Sequence, residues 1–204
     1  SYAVMGLGRT GKAAARALKA SGATVFVWDD GEKARSWAAT EGFTVTELTE
    51  EVLREVDDVI WSPGVPHSLP QPHPVAEAAR DAGVDLITDI DLLGRADPDA
   101  KVVAITGTNG KSTTTALIAH VLTDLGETAK AGGNIGMPVL EGEALGKGGI
   151  HVLELSSYQT ELLRDLSPEI AVFLNLTPDH LDRHGDMSGY LAAKARLMDA
   201  VIDS

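Results

Sequence analysis

Lys101-Val102-Val103-Ala104-Ile105-Thr106-Gly107-Thr108-Asn109-Gly110-Lys111-Ser112-Thr113-Thr114-Thr115 decides how this chain is read. An apolar run enters a glycine loop and leaves as a helical pattern, which predicts strand, turn and helix. Gly107 and Gly110 let the backbone turn tightly and free successive N–H groups, while the helix that follows aims its positive dipole end at the same place. An anion belongs there. Lys111 can reach terminal phosphates as a point charge, worth roughly 4 kcal/mol per unit charge at about 4 Å and an effective dielectric near 20. Ser112 offers a hydroxyl to Mg²⁺. Ile105 stands where the longer P-loop pattern has its first glycine, so the spacing is the shorter Gly-x-x-Gly-Lys-Ser.

Working outward, the 204 residues are 44% apolar, enough for one large or two small cores. There is no cysteine, hence no disulfide framework and no thiolate metal site, which fits a reducing compartment and makes the cytoplasm the expectation. No apolar run approaches the roughly 20 residues that cross a bilayer, and no signal peptide opens the sequence. A formal charge of −13 argues against nucleic acid, which is held by clustered Lys and Arg. Both ends read as cut, Ser1-Tyr2 inside a strand and Ser204 directly after a helix.

Residues 1–96 read as a Rossmann-like parallel α/β domain. Ala3-Val4-Met5 is a buried-type strand, Gly6-Leu7-Gly8-Arg9-Thr10-Gly11 matches Gly-x-Gly-x-x-Gly, and an alanine-rich helix runs to Ala20. Val25-Phe26-Val27-Trp28 is the second strand, and Asp29-Asp30 at its end suits ribose hydroxyls. By themselves these features describe an NAD-dependent oxidoreductase as well as any other nucleotide binder. Val59-Ile60-Trp61 is stopped by Ser62-Pro63-Gly64-Val65-Pro66, a loop equally compatible with function and simple connection. Asp97-Pro98-Asp99 is the linker candidate, so the boundary is expected near residue 96.

Residues 97–204 read as a P-loop ATPase-type α/β domain. Leu117, Ile118, Val121, Leu122 and Leu125 form an apolar stripe expected to be core. In Gly132-Gly133-Asn134-Ile135-Gly136, Asn134 is either a turn residue or a ligand donor. Glu154 ends an apolar strand at the end where open α/β sheets bind ligands, either exposed or partnered by Mg²⁺. Asp179-His180-Leu181-Asp182-Arg183-His184 is rich in metal-ligand types but has no fixed zinc spacing. On the last helix Tyr190, Leu191, Met198 and Val201 share a face with Lys194 in its middle, so that lysine must snorkel, pair or be chemically altered.

Gly107-Thr108-Asn109-Gly110-Lys111-Ser112-Thr113 resembles the short ATP loop of the Mur ligases and folylpolyglutamate synthetases. Glu154-Leu155-Ser156-Ser157-Tyr158-Gln159 is similar to the version in the D-glutamate-adding branch of the Mur ligases. Gly8-Arg9-Thr10-Gly11, Ser62-Pro63-Gly64, Gly133-Asn134-Ile135-Gly136 and Asp179-His180-Leu181-Asp182-Arg183 follow the family in the same order. The resemblance implies an ATP- and Mg²⁺-dependent amide ligase of cytoplasmic peptidoglycan synthesis, active as a monomer. It would join D-glutamate to UDP-N-acetylmuramoyl-L-alanine through an acyl phosphate, with neither nucleic acid nor membrane as partner. It assigns the β and γ phosphates to Lys111, Mg²⁺ to Ser112 and Glu154, substrate and a second metal to Asn134 and His180, and a metal-facing carbamate to Lys194. In the first domain it places UDP, with Arg9 and Thr10 at the pyrophosphate, Asp29 and Asp30 near ribose and uracil, and Gly8 and Ser62 among the further UDP-sugar contacts; Asp30 stands where the family often has a hydroxyl residue. A UDP-sugar-binding module without catalysis remains the other reading of the same motifs. The family has a third domain that supplies much of its D-glutamate site, so these 204 residues alone are expected to show no D-glutamate-dependent phosphate release.

Overall fold

The computed structural model describes residues 1–201; the expected end of the second domain at Ser204 lies outside them. The chain divides into two compact units, Ser1–Asp89 and Ile90–Ser204.

In the first unit the elements run β1 (Tyr2–Met5), α1 (Arg9–Ala20), β2 (Val25–Trp28), α2 (Glu32–Thr40), β3 (Thr44–Val45), α3 (Glu50–Leu53), β4 (Asp58–Trp61), α4 (Pro74–Ala82) and β5 (Asp85–Ile87). All strand pairs are parallel, in the order β3-β2-β1-β4-β5. Sheet residues such as Val4, Val27 and Ile60 are buried, as are Ala13, Ala14 and Ala15 of α1, whose small side chains let the helix lie close to the sheet. The direction in which successive strands are added across the sheet reverses between β1 and β4, the point at which such sheets bind ligands.

The second unit holds most of α5 (Asp89–Ala96), then β6 (Lys101–Thr106), α6 (Lys111–Asp124), β7 (Thr128–Gly133), a 3₁₀ turn (Val139–Glu141), β8 (Gly149–Glu154), α7 (Ser157–Leu162), β9 (Ile170–Phe173), α8 (Leu181–His184) and α9 (Met187–Asp199). Its sheet is also parallel, ordered β7-β8-β6-β9. Ile90, Leu93, Val102, Ala104, Leu153, Leu155, Leu163, Leu166 and Leu197 form one core. The division therefore falls after Asp89 and not at residue 96, because Ile90 and Leu93 are bound into this core.

Asp97, expected in a linker, is instead a buried anchor. Its carboxylate accepts hydrogen bonds from Leu145 N at 2.6 Å, Gly146 N at 2.9 Å and His151 Nε2 at 2.8 Å. The stripe on α6 also differs from expectation. Thr115 and Ala119 are buried and Ile118 and Leu122 pack on a core of Val103, Ile105, Ala119 and Val152, whereas Leu117, Val121 and Leu125 are 58%, 46% and 74% exposed. A helix lying on a sheet buries an arc of its surface, and these three, spaced four apart, fall on one flank beyond it. Among the described residues no helix is long and apolar enough to cross a membrane.

Burial raises the Asp97 pKa, but the bonds from His151, Leu145 and Gly146 outweigh it and hold the carboxyl below its usual 3.8. Its stabilisation is therefore complete above about pH 4 and is lost as pH falls through the lowered value. Asp97→Ala should lower the unfolding free energy at pH 7 by about 2–4 kcal/mol, since it strands two amides and a buried histidine. Urea unfolding checks this, and the gap to wild type should narrow in acid.

Candidate active site

The parallel register decides which residues meet in the second unit. Ile105 on β6 and Gly133 on β7 are both register partners of Glu154, on the strand between them. Three consequences follow. The glycine loop leaves β6 beside Glu154, Asn134 leaves β7 on its other side, and α7 begins just beyond. Asn134 N donates to Glu154 O at 2.8 Å, and Asn134 Nδ2 donates to Glu154 Oε1 at 3.3 Å. Glu154 is 3% exposed, and its Oε2 is buried without a hydrogen-bond partner. A buried carboxylate oxygen in that state costs free energy unless something positive reaches it.

The loop itself is braced from the segment after β9. Asn109 N donates to Asn175 Oδ1 at 3.0 Å and Asn175 Nδ2 to Asn109 O at 3.0 Å. Thr108 Oγ1 donates to Thr177 O at 3.1 Å and accepts from Thr177 N at 3.0 Å. Lys111 Nζ turns back to Thr108 O at 2.9 Å, while Ser112 and Thr113 stand exposed on the first turn of α6.

Lys194 is 1% exposed, so it does not snorkel. Its Nζ donates to Gly107 O at 2.9 Å and lies 4.7 Å from the Tyr190 ring centre. Burial first, then repulsion from Lys111, brings its pKa down to about 8, against a smaller opposing pull from Asp179. Tyr190, Ala193 and Leu197 are its buried companions on α9, whereas Leu191, expected on the same face, is 45% exposed.

His180 is the N-cap of α8 and, at φ 51°, the one non-glycine residue with positive φ among those described. Its ring lies 5.1 Å from that of Tyr158 and its Nε2 is 3.5 Å from Asp179 Oδ2. His184, at the other end of the turn, is buried, and that burial pushes its pKa below 6.5. The carboxylates and histidines of this segment bring no three metal-ligand groups together among the described residues. The buried Glu154 Oε2 is an oxygen of the kind a hard cation takes, and Ser112 offers a hydroxyl on the exposed first turn of α6.

The motif Ser156-Ser157-Tyr158-Gln159 has a local reason as well. Ser156 Oγ accepts from Gln159 N at 3.3 Å and Gln159 Oε1 accepts from Ser156 N at 3.1 Å, a capping box that starts α7.

In the first unit Met5 is in register with both Trp28 and Trp61, which brings the glycine loop, Asp29-Asp30 and Ser62 to one edge. Gly11 is required there, since a Cβ on it would fall 1.9 Å from Gly6 O. Gly8 and Arg9 are exposed at the mouth and Thr10 is half-buried. The two acids part company. Asp29 accepts from Leu7 N at 2.6 Å and from Gly31 N at 2.8 Å, so its carboxylate braces the loops. Asp30 is 3.1 Å from His73 Nε2 and with it lines a cavity of about 300 Å³. His73 was not singled out in the sequence, nor were Asn175 and the Tyr190 to Thr108 contact, since each works across elements distant along the chain.

These features define a class: a P-loop-type unit with a buried, unpartnered carboxylate oxygen on the strand beside the loop, carried on the same chain as a Rossmann-like unit. Residues 105–203 match the Mur ligase middle domain, and residues 1–88 match the Mur ligase MurD-like N-terminal domain. The chain belongs to the Mur ligase family, of which it carries the N-terminal and middle domains.

The UDP-N-acetylmuramoylalanine–D-glutamate ligase of Paramagnetospirillum magneticum is 53% identical over 196 residues, covering 96% of this chain and 43% of the relative. The ligase of the same name from Ruegeria pomeroyi is 52% identical over 209 residues, covering 97% and 44%. The chain thus spans less than half the length of the curated relatives it matches. The crystal structure of a UDP-N-acetylmuramate-alanine ligase from Thermotoga maritima superposes with a TM-score of 0.57 at 25% identity, over 98% of this chain and 47% of that one.

Gly133 is where the backbone must be glycine: φ is 87° and an added Cβ would fall 2.2 Å from Glu154 O. Gly133→Ala should cost at least about 2 kcal/mol from strain and clash together and pull Asn134 off Glu154, visible as a lower thermal midpoint.

Proposed function

We propose that the full-length protein is an ATP-dependent ligase that joins D-glutamate to UDP-N-acetylmuramoyl-L-alanine through an acyl phosphate, as a step of cytoplasmic peptidoglycan synthesis. The observation that carries this reading is the buried, unpartnered Glu154 oxygen beside a phosphate loop, with the buried Lys194 ammonium bonded to that same loop. The substrates come from the names of relatives that share about half of this chain's residues. Those relatives are named ligases, which leaves the oxidoreductase reading of the first unit without support.

In this reading residues Gly107, Thr108, Asn109, Gly110, Lys111, Ser112 and Thr113 cradle the ATP phosphates. Lys111 leaves Thr108 O to neutralise the terminal oxygens. Ser112 and Glu154 hold Mg²⁺, whose chemistry is to screen charge on the phosphates during transfer. Asn134 and His180 orient the acceptor end of the substrate. The work of these residues is positioning and charge neutralisation. Gly8, Arg9, Thr10 and Ser62 take the UDP pyrophosphate; Asp30 faces the nucleoside, and Asp29 shapes the loop that receives it.

Lys194 gains a role by carbamylation. Its neutral amine attacks dissolved CO₂, one N–C bond forms, one proton leaves, and a buried cation becomes an anion able to face the metal. The lowered pKa favours the amine that this requires.

The full-length protein should release phosphate from ATP only when both D-glutamate and UDP-N-acetylmuramoyl-L-alanine are present, and Lys111→Ala should lower the rate at least about 100-fold. Phosphate release without D-glutamate, or NADH binding by calorimetry, would overturn the reading. With ¹³C-bicarbonate, a carbamate carbon resonance should be present in the wild type and absent in Lys194→Ala.

A further inference from the structure

His184 belongs to an arrangement that the proposed chemistry does not use. Its Nε2 lies 2.9 Å from Ser157 Oγ and its Nδ1 3.5 Å from Glu161 Oε2. The carboxylate on Nδ1 favours a proton there, so Nε2 accepts the Ser157 hydroxyl. Serine, histidine and carboxylate in that order can activate a nucleophile, but Ser157 is 2% exposed and no substrate carbonyl can approach it. The geometry serves attachment instead.

The His184 ring stacks on Tyr158 at 5.5 Å and 18° and meets Tyr190 at 5.4 Å. Tyr158 in turn carries the His180 ring on one side and the Arg183 guanidinium, 4.5 Å from its centre, on another. Tyr190 OH is 3.3 Å from Thr108 Oγ1 in the phosphate loop. His184 N also donates to His180 O at 3.2 Å, closing the single turn of α8. That turn is short, and it starts from a left-handed residue that a lone turn does not hold in place. Beside the contacts of His180 and Arg183 with Tyr158, the buried fastening of this turn to the rest of the unit is the His184 side chain, pegged into the start of α7 three residues after Glu154.

We propose that His184 is a positioning residue: through Ser157 it locks the turn carrying His180 onto α7, and through Tyr190 it links that turn to Thr108 of the phosphate loop. This rests on the ligase reading for its kinetic consequence, though not for its structural one.

Two variants remove the same bond from opposite sides in the full-length protein. His184→Phe keeps a flat ring between Tyr158 and Tyr190, and Ser157→Ala keeps His184. Each should lower kcat for D-glutamate-dependent phosphate release about 10- to 100-fold, by analogy with the loss of an outer-shell partner in a metal site. KM for the UDP-sugar should stay nearly unchanged, and the double variant should be no worse than the poorer single one. His184→Gln, whose amide reaches Ser157 but which has no ring to face Tyr190, should recover part of kcat. Amide hydrogen exchange across 180–185 should quicken in the first two variants and not in the third. Loss of kcat only in proportion to loss of folded protein, or unchanged exchange at 180–185, overturns the proposal. If the wild type releases no phosphate the ligase reading fails by itself, and the exchange result still decides whether His184 holds the His180 turn.

Discussion

An ammonium group without water has to find acceptors, and in the second unit Lys194 finds the carbonyl of Gly107 and the face of Tyr190. The consequence reaches beyond that pair. Gly107 O is available to it because the loop there runs at φ 146°, a conformation that side-chain-bearing residues avoid. Tyr190, one turn earlier on α9, approaches Thr108. The last described helix is therefore fastened to the phosphate loop at two successive residues, and the loop is held again by Asn175 and Thr177 on its other flank. A loop fixed from both sides presents its amides in one arrangement, which is what electrostatic preorganisation requires.

The strands set the remaining positions by register. In a parallel sheet the residues at one level leave their strands at the same edge, so Ile105, Glu154 and Gly133 deliver loop, carboxylate and Asn134 together. The first unit repeats the device with Met5, Trp28 and Trp61. A slip of one residue in either sheet would turn Glu154 or Trp61 to the opposite face. Apolar packing at Leu153, Leu155, Val59 and Ile60 opposes any such slip, so the core specifies the site as well as supporting it.

How much of this the sequence discloses depends on range. Strand, glycine loop and helix at 101–124 are signalled by local pattern, and so are the opening Rossmann turn and the capping box at Ser156 and Gln159, because each is built from neighbours in the chain. Lys194 was conspicuous because a cation interrupted an apolar face, although Leu191 proved to lie off that face. Asp97 misled for a related reason: Asp-Pro-Asp has the composition of a linker, and only the approach of Leu145, Gly146 and His151 makes it an anchor. The stripe on α6 misled through its width, since periodicity marks which residues are apolar and not how wide an arc a sheet can cover. Asp29 and Asp30 look alike in sequence and diverge because Leu7 N reaches only the first.

A chain of net charge −13 has to bind polyanions if the proposed substrates are correct, and the arrangement of donors explains how it can. At physiological ionic strength a surface charge is largely screened beyond about 8 Å, so most of the acidic surface adds little repulsion at the phosphate loop. Inside that radius the balance is reversed. Loop amides and the first turn of α6 supply partial positive charge, Lys111 a full one, and Lys194, until carbamylated, another, its pKa brought down to about 8 by burial first and by repulsion from Lys111 second. Two like charges held close are unfavourable until something negative enters, and Glu154, on the neighbouring strand, keeps one oxygen unpaired until something positive does. A nucleotide phosphate arriving with a divalent cation relieves both at once. Neither component alone does so, and under the proposed function this favours the metal-nucleotide pair over the free nucleotide.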